Sequence, residues 1–68
     1  MEKFMLTLTK KNDRTVLAIC KTKAEAMAKG EEFRKHLTID SGTLAVISAA
    51  VDENNNMMGG KYKLYHVW

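Results

Sequence analysis

Only one stretch of this 68-residue sequence carries the spacing of an amphipathic helix, and it lies between two stretches that alternate with a period of two. Thr22-Lys23-Ala24-Glu25 opens it with a capping box, in which the threonine hydroxyl accepts from the amide three residues on and the glutamate reaches back. Ala26, Gly30, Phe33 and Leu37 follow at helical spacing with Met27 beside them, while Lys29, Glu32, Lys35 and His36 fall elsewhere around the helix. This stripe predicts one helix with one face against a sheet. Gly30 within it costs up to about 1 kcal/mol relative to alanine, so it is expected where helix and sheet approach closely.

Before the helix, Phe4, Leu6 and Leu8 alternate with Met5, Thr7 and Thr9, which predicts a half-buried strand over Lys3 to Thr9. The polar run Lys10-Lys11-Asn12-Asp13 turns the chain, and Arg14 to Cys20 resumes with the β-formers Thr15, Val16 and Ile19. After the helix, Asp40-Ser41-Gly42 is turn chemistry, and Thr43 to Val51 is apolar on both faces, as a central strand must be. A polar linker, Asp52 to Gly60, leads to a fourth strand over Lys61 to Trp68. The expectation is a single α+β domain over residues 1–68 with the order β-β-α-β-β. It would hold a four-stranded, mainly antiparallel sheet in strand order 2-1-3-4, with the helix packed on one face. The other face would then carry Met5, Thr7, Val16, Ala18, Ile47 or its neighbours, Tyr65 and Val67, a surface too apolar to face water.

Composition bounds the class. A chain of 68 residues with 46% hydrophobic content can form one core and no second domain. Its longest apolar run, Leu44 to Val51, is broken by Ser48 and is far below the ~20 residues of a membrane span. The N-terminus enters a strand directly instead of showing a basic segment followed by an apolar one, so no signal peptide is expected. Cys20 is the single cysteine, which leaves no intrachain disulfide and fits a reducing cytoplasm. The net charge of +3 is unevenly placed: Lys10, Lys11, Arg14, Lys21 and Lys23 gather around the first hairpin with only Asp13 among them.

Few residues carry chemistry. Asp52, Asn54 and Asn56 occupy the first, third and fifth positions of a calcium loop, but Met57 stands at the turn glycine and Lys63 at the bidentate glutamate. Gly59-Gly60-Lys61 lacks the rest of a phosphate loop. Cys20, His36 and His66 stand at no metal-site spacing, and nothing supplies an oxyanion hole, so no catalytic residue, metal or cofactor is expected. Tyr62, Tyr65 and Trp68 interleave with Lys61 and Lys63 in the manner of surfaces that stack nucleobases. Parity with Leu64 assigns Tyr62 and Trp68 to the core and leaves Tyr65 as the exposed ring. Met57 and Met58 read as a flap over the core or an adaptable contact for a partner.

Cys20-Lys21-Thr22-Lys23-Ala24-Glu25-Ala26, a strand running into a T-K-x-E-A helix start, resembles the arm-type DNA-binding domain of phage and transposon tyrosine recombinases. That resemblance implies a small sheet inserted in a DNA groove. The chain departs from it by entering the helix from two strands and adding two more afterwards. It also resembles, in general look, small uncharacterised proteins of Gram-positive mobile elements. The expected function is a non-enzymatic interaction or assembly module that self-associates through Val16, Ala18, Ile47, Tyr65 and Val67. The alternative is a nucleic-acid-binding accessory protein using Lys10, Lys11, Arg14, Lys21 and Lys23. No membrane partner is expected.

Overall fold

The computed structural model describes residues 1–38 and 41–68. Four strands and one helix follow in the order β1 (Glu2–Lys10), β2 (Asp13–Cys20), α1 (Lys23–Arg34), β3 (Thr43–Ala50) and β4 (Lys63–Val67). They form one open antiparallel sheet in the order β2-β1-β3-β4. The α+β class, the element order and the strand order are those the alternation predicted. Strand β3 is central, and its residues from Leu44 to Ala49 are buried on both faces.

Local chemistry sets the boundaries. Lys11, with φ of 56°, makes the tight turn between β1 and β2. Thr22 is the N-cap, with extended backbone and its Oγ1 accepting from the Glu25 amide at 3.2 Å, so the threonine half of the capping box forms. The helix ends by tightening: Lys35, His36 and Leu37 donate to carbonyls three residues back. Ser41 then closes the turn onto Thr38, and Gly42 follows with φ of 115°, where any side chain would strike the Thr9 carbonyl. Asp40 of the predicted turn lies outside the described residues.

The first core lies under the helix. Leu6, Cys20, Ala26, Leu44 and Val46 are buried there, with Phe4, Leu8, Leu17, Ala18, Met27, Leu37, Tyr65 and Trp68 packed around them. Gly30 is the expected close approach, and its partner is Trp68: a Cβ there would overlap the Cη2 edge of the six-membered ring. Phe33 departs from the predicted stripe. It is 40% exposed although it lies within α1, whose buried residues are Ala26 and Gly30.

Two bulges overturn the simple parity of the edge strands. Leu6 pairs with Ala18 but Thr7 pairs with Val16, leaving Leu17 extra in β2. Val46 pairs with His66 but Ile47 with Leu64, leaving Tyr65 extra in β4. Each bulge shifts the alternation by one. Ala18 and Tyr65, expected on the open face, therefore sit in the helix-side core, and Tyr62 and Leu64, expected in the core, are about half exposed.

Candidate functional site: the open sheet face

The sheet face away from α1 is built from cross-strand rows. One row runs Ile19, Met5, Ile47, Leu64, and the next runs Val16, Thr7, Ala45, Val67. Each row is buried in the middle and exposed at its ends: Met5 and Ile47 are at most 2% exposed, whereas Ile19 is 38% and Leu64 55% exposed. Thr7 turns its hydroxyl onto the Ala45 carbonyl at 3.3 Å, so it presents its methyl outward and behaves as an apolar residue. Three of the five residues expected here, Val16, Ile47 and Val67, are present; Ile19 and Leu64 join them, found only once the bulges are known.

Among the described residues no helix or strand packs on these rows; their buried centres belong to the inner strands β1 and β3, flanked by the side chains of the edge strands. Arg14 is the second residue of the edge strand β2 and Tyr62 precedes the opposite edge strand β4, yet the guanidinium carbon lies 4.4 Å from the Tyr62 ring centroid. This cation–π contact joins opposite edges across the face. Beneath it lies a trough of about 280 Å³ floored by Thr7, Ala45 and Ile47. At the other end the apolar floor continues through Ala49 and Val51 to Met57, which bridges to Val51 and packs against it. Met57 is thus the expected flap, whereas Met58 is 55% exposed.

The remaining loop chemistry is structural. The Asp52 carboxylate accepts from the amides of Asn54 and Asn56 at 2.8 and 3.0 Å, and Asn55 takes φ of 63° while its side chain accepts from Lys3 at 2.6 Å. These bonds, the Asn56 amide first, hold the Asp52 carboxyl below its ordinary range. The D-x-N-x-N pattern is therefore a self-stabilised turn. Burial pushes the Cys20 thiol up, against Lys29 and with Glu25, which disfavours the nucleophilic thiolate. Among the described residues no three His, Cys, Asp or Glu side chains gather to hold a metal. No described helix is long and apolar enough to cross a membrane.

The five basic residues read as a nucleic-acid surface do not form one patch. Lys10 and Lys11 sit at the β1–β2 turn and Lys21 and Lys23 beyond the far end of the eight-residue β2, roughly 25 Å away. Arg14 is engaged by Tyr62 on the open face.

Comparison with family models, curated proteins and solved structures finds no match for this chain. The likeness of residues 20–26 to recombinase arm-type domains rests on those seven residues, which form the junction of β2 with the cap of α1.

Proposed function

We propose that this chain is a non-enzymatic interaction module that self-associates by stacking its open sheet face on that of a second copy. The observation that carries this reading is the pair of apolar rows whose ends, Ile19 and Val16 on one edge and Leu64 and Val67 on the other, remain exposed on a face without a covering layer. Two charged side chains beside the rows are tied down within the chain, Arg14 by Tyr62 and Lys3 by Asn55. A face that is apolar in the middle and nearly free of charge suits its own copy related by a two-fold axis.

Size and edges support a stacked arrangement. The chain measures 33 × 26 × 18 Å, and the shortest extent is that of a sheet and helix stacked in two layers. The two longer extents give a face on the order of the ~800 Å² per partner that stable interfaces bury. Edge-to-edge pairing is less suited, because Leu17 and Tyr65 place a bulge in each edge strand and interrupt the ladder a partner strand would need.

Sedimentation equilibrium tests the proposal. The wild-type chain should self-associate with rising concentration, and Leu64→Glu or Val16→Glu should shift it to monomer without changing its far-ultraviolet circular dichroism. Both side chains are substantially exposed in the single chain, so neither substitution disturbs its core. A parent that stays monomeric at hundreds of micromolar overturns the reading.

A further inference from the structure

On the helix side, α1 packs over β1, β2 and β3 and reaches the β4 end of the sheet through Trp68, at Gly30 and Glu31, and through Lys23 at Tyr65. A flank is left beside the helix, lined by half-buried Tyr65, His66 and Trp68. The bulge that moves Tyr65 to this side sets it next to His66, so both rings face the same way. Phe4 backs Tyr65 at 5.3 Å, and His66 meets Trp68 edge-on at 4.5 Å. Trp68 is fixed by its amide on the Leu44 carbonyl at 2.9 Å and by its indole N–H on Glu31 at 2.6 Å.

Two cations, forty positions apart in sequence, converge on Tyr65. Lys23 Nζ, from the first residue of α1, lies 5.1 Å from the ring centroid, and Lys63 Nζ, from the start of β4, lies 5.2 Å from it. Both are held by the ring and not by an acid; the ion pair among the described residues is Arg34 with Glu31, at the Trp68 end. The flank is thus cationic at Tyr65, while the Glu31 carboxylate near Trp68 is matched by Arg34.

We propose that this flank of β4 binds single-stranded nucleic acid, with an unpaired base stacked on Tyr65 and the adjoining phosphates on Lys23 and Lys63. Both ammonium groups lie over the Tyr65 ring on exposed lysine side chains, so a base that stacks there takes their place on the π-face and they move to the adjoining phosphates, which supplies both halves of that recognition. A duplex keeps its bases stacked on one another and offers none to a ring recessed beside a helix. The distance from Tyr65 to Trp68 along β4 is about 10 Å, room for about two bases. The surface is separate from the open face, so self-association and strand binding can fail independently.

Fluorescence anisotropy of labelled oligo(dT) and oligo(rU), titrated with the full chain at several salt concentrations, is the test. Both strands should bind more tightly than a duplex of the same length, and the difference between them shows whether the 2′-hydroxyl is read. The double variant Lys23→Gln, Lys63→Gln should lower the slope of log K against log salt by about 1.4, for two phosphate contacts of a single strand. Tyr65→Leu should weaken binding about tenfold while Tyr65→Phe, which keeps the ring, retains it. Lys10→Gln with Lys11→Gln, at the distant turn, should leave binding unchanged. The proposal is overturned by failure of either strand to bind at low salt, by preference for duplex, or by equal loss from the Lys10 and Lys11 variant. It is overturned equally if poly-glutamate competes as well as oligo(dT) and Tyr65→Leu binds like the parent, since the flank would then be a plain polyanion site.

Discussion

Individual residues here are held by contacts whose removal has a definite sign. Thr22 caps α1 with one hydrogen bond to the Glu25 amide, and Thr22→Ala should cost about 1 kcal/mol in denaturant unfolding without altering the fold. Ser48 is the opposite case. Its hydroxyl is buried in the row of Phe4 and Lys63 without a partner, a desolvation cost of about 1–3 kcal/mol. Ser48→Ala keeps the Cβ and removes the orphan, so the unfolding free energy should rise by up to that amount, read as a higher denaturant midpoint. Gly30 departs from helix propensity for a steric reason. Gly30→Ala gains about 1 kcal/mol of propensity, yet the methyl overlaps the edge of the Trp68 ring, and displacing that ring costs roughly 1–3 kcal/mol. A net loss accompanied by a change in Trp68 fluorescence is expected; a more stable variant with unchanged emission would mean the ring does not rest on Gly30.

At the scale of elements, the turn from Asp52 to Asn56 is the pH-sensitive part. Asp52 is stabilised as the carboxylate by the amides of Asn56 and Asn54, so its folded-state pKa lies below the unfolded value of about 3.9. Its contribution is complete above that unfolded value and is lost as pH falls from there through the lower folded one. Asp52→Asn should therefore be less stable than the parent at neutral pH, with the gap closing as pH falls below the unfolded value. Glu31 follows the same sign, lowered first by the Trp68 indole and next by Arg34, and its loss should be seen as a loosening of Trp68 in the same acid range. Unfolding curves monitored by circular dichroism and by Trp68 fluorescence separate the two.

For the whole molecule the two sheet faces differ in what stabilises them. The helix face is complete within one chain: Leu6 is fully buried, and Leu6→Ala should cost about 2–5 kcal/mol at any protein concentration. The open face is incomplete. Leu64 is 55% exposed, so Leu64→Ala should be nearly neutral in dilute solution and destabilising only where the parent self-associates, because association stabilises by mass action. Melting temperatures of parent and variant over a wide concentration range should converge at the dilute end. Parallel lines at all concentrations would place Leu64 outside any interface.

Strand and helix identity, element order and strand order were legible in the sequence because they depend on local periodicity and on which strand is apolar on both sides. Phe4, Leu6 and Leu8, the Thr22 cap and the apolar run from Leu44 to Val51 each act within a few residues or through a simple count of faces. The orientation of the edge strands was not legible. A bulge adds one residue to a ladder, and whether Leu17 or Tyr65 is that residue depends on partners elsewhere in the sheet, Leu6 and Thr7 for one and Val46 and Ile47 for the other. One such shift exchanged Tyr65 for Leu64 on the open face. The basic residues show the same division: their clustering along the chain was visible, but β2 separates Lys10 and Lys11 from Lys21 and Lys23, and the bulge at Tyr65 unites Lys23 with Lys63. The sequence alone determined which residues alternate and where the helix begins, since those follow from backbone geometry over a few residues. Only the tertiary structure decided which side chains share a face, since register is a relation between strands and no single strand contains it.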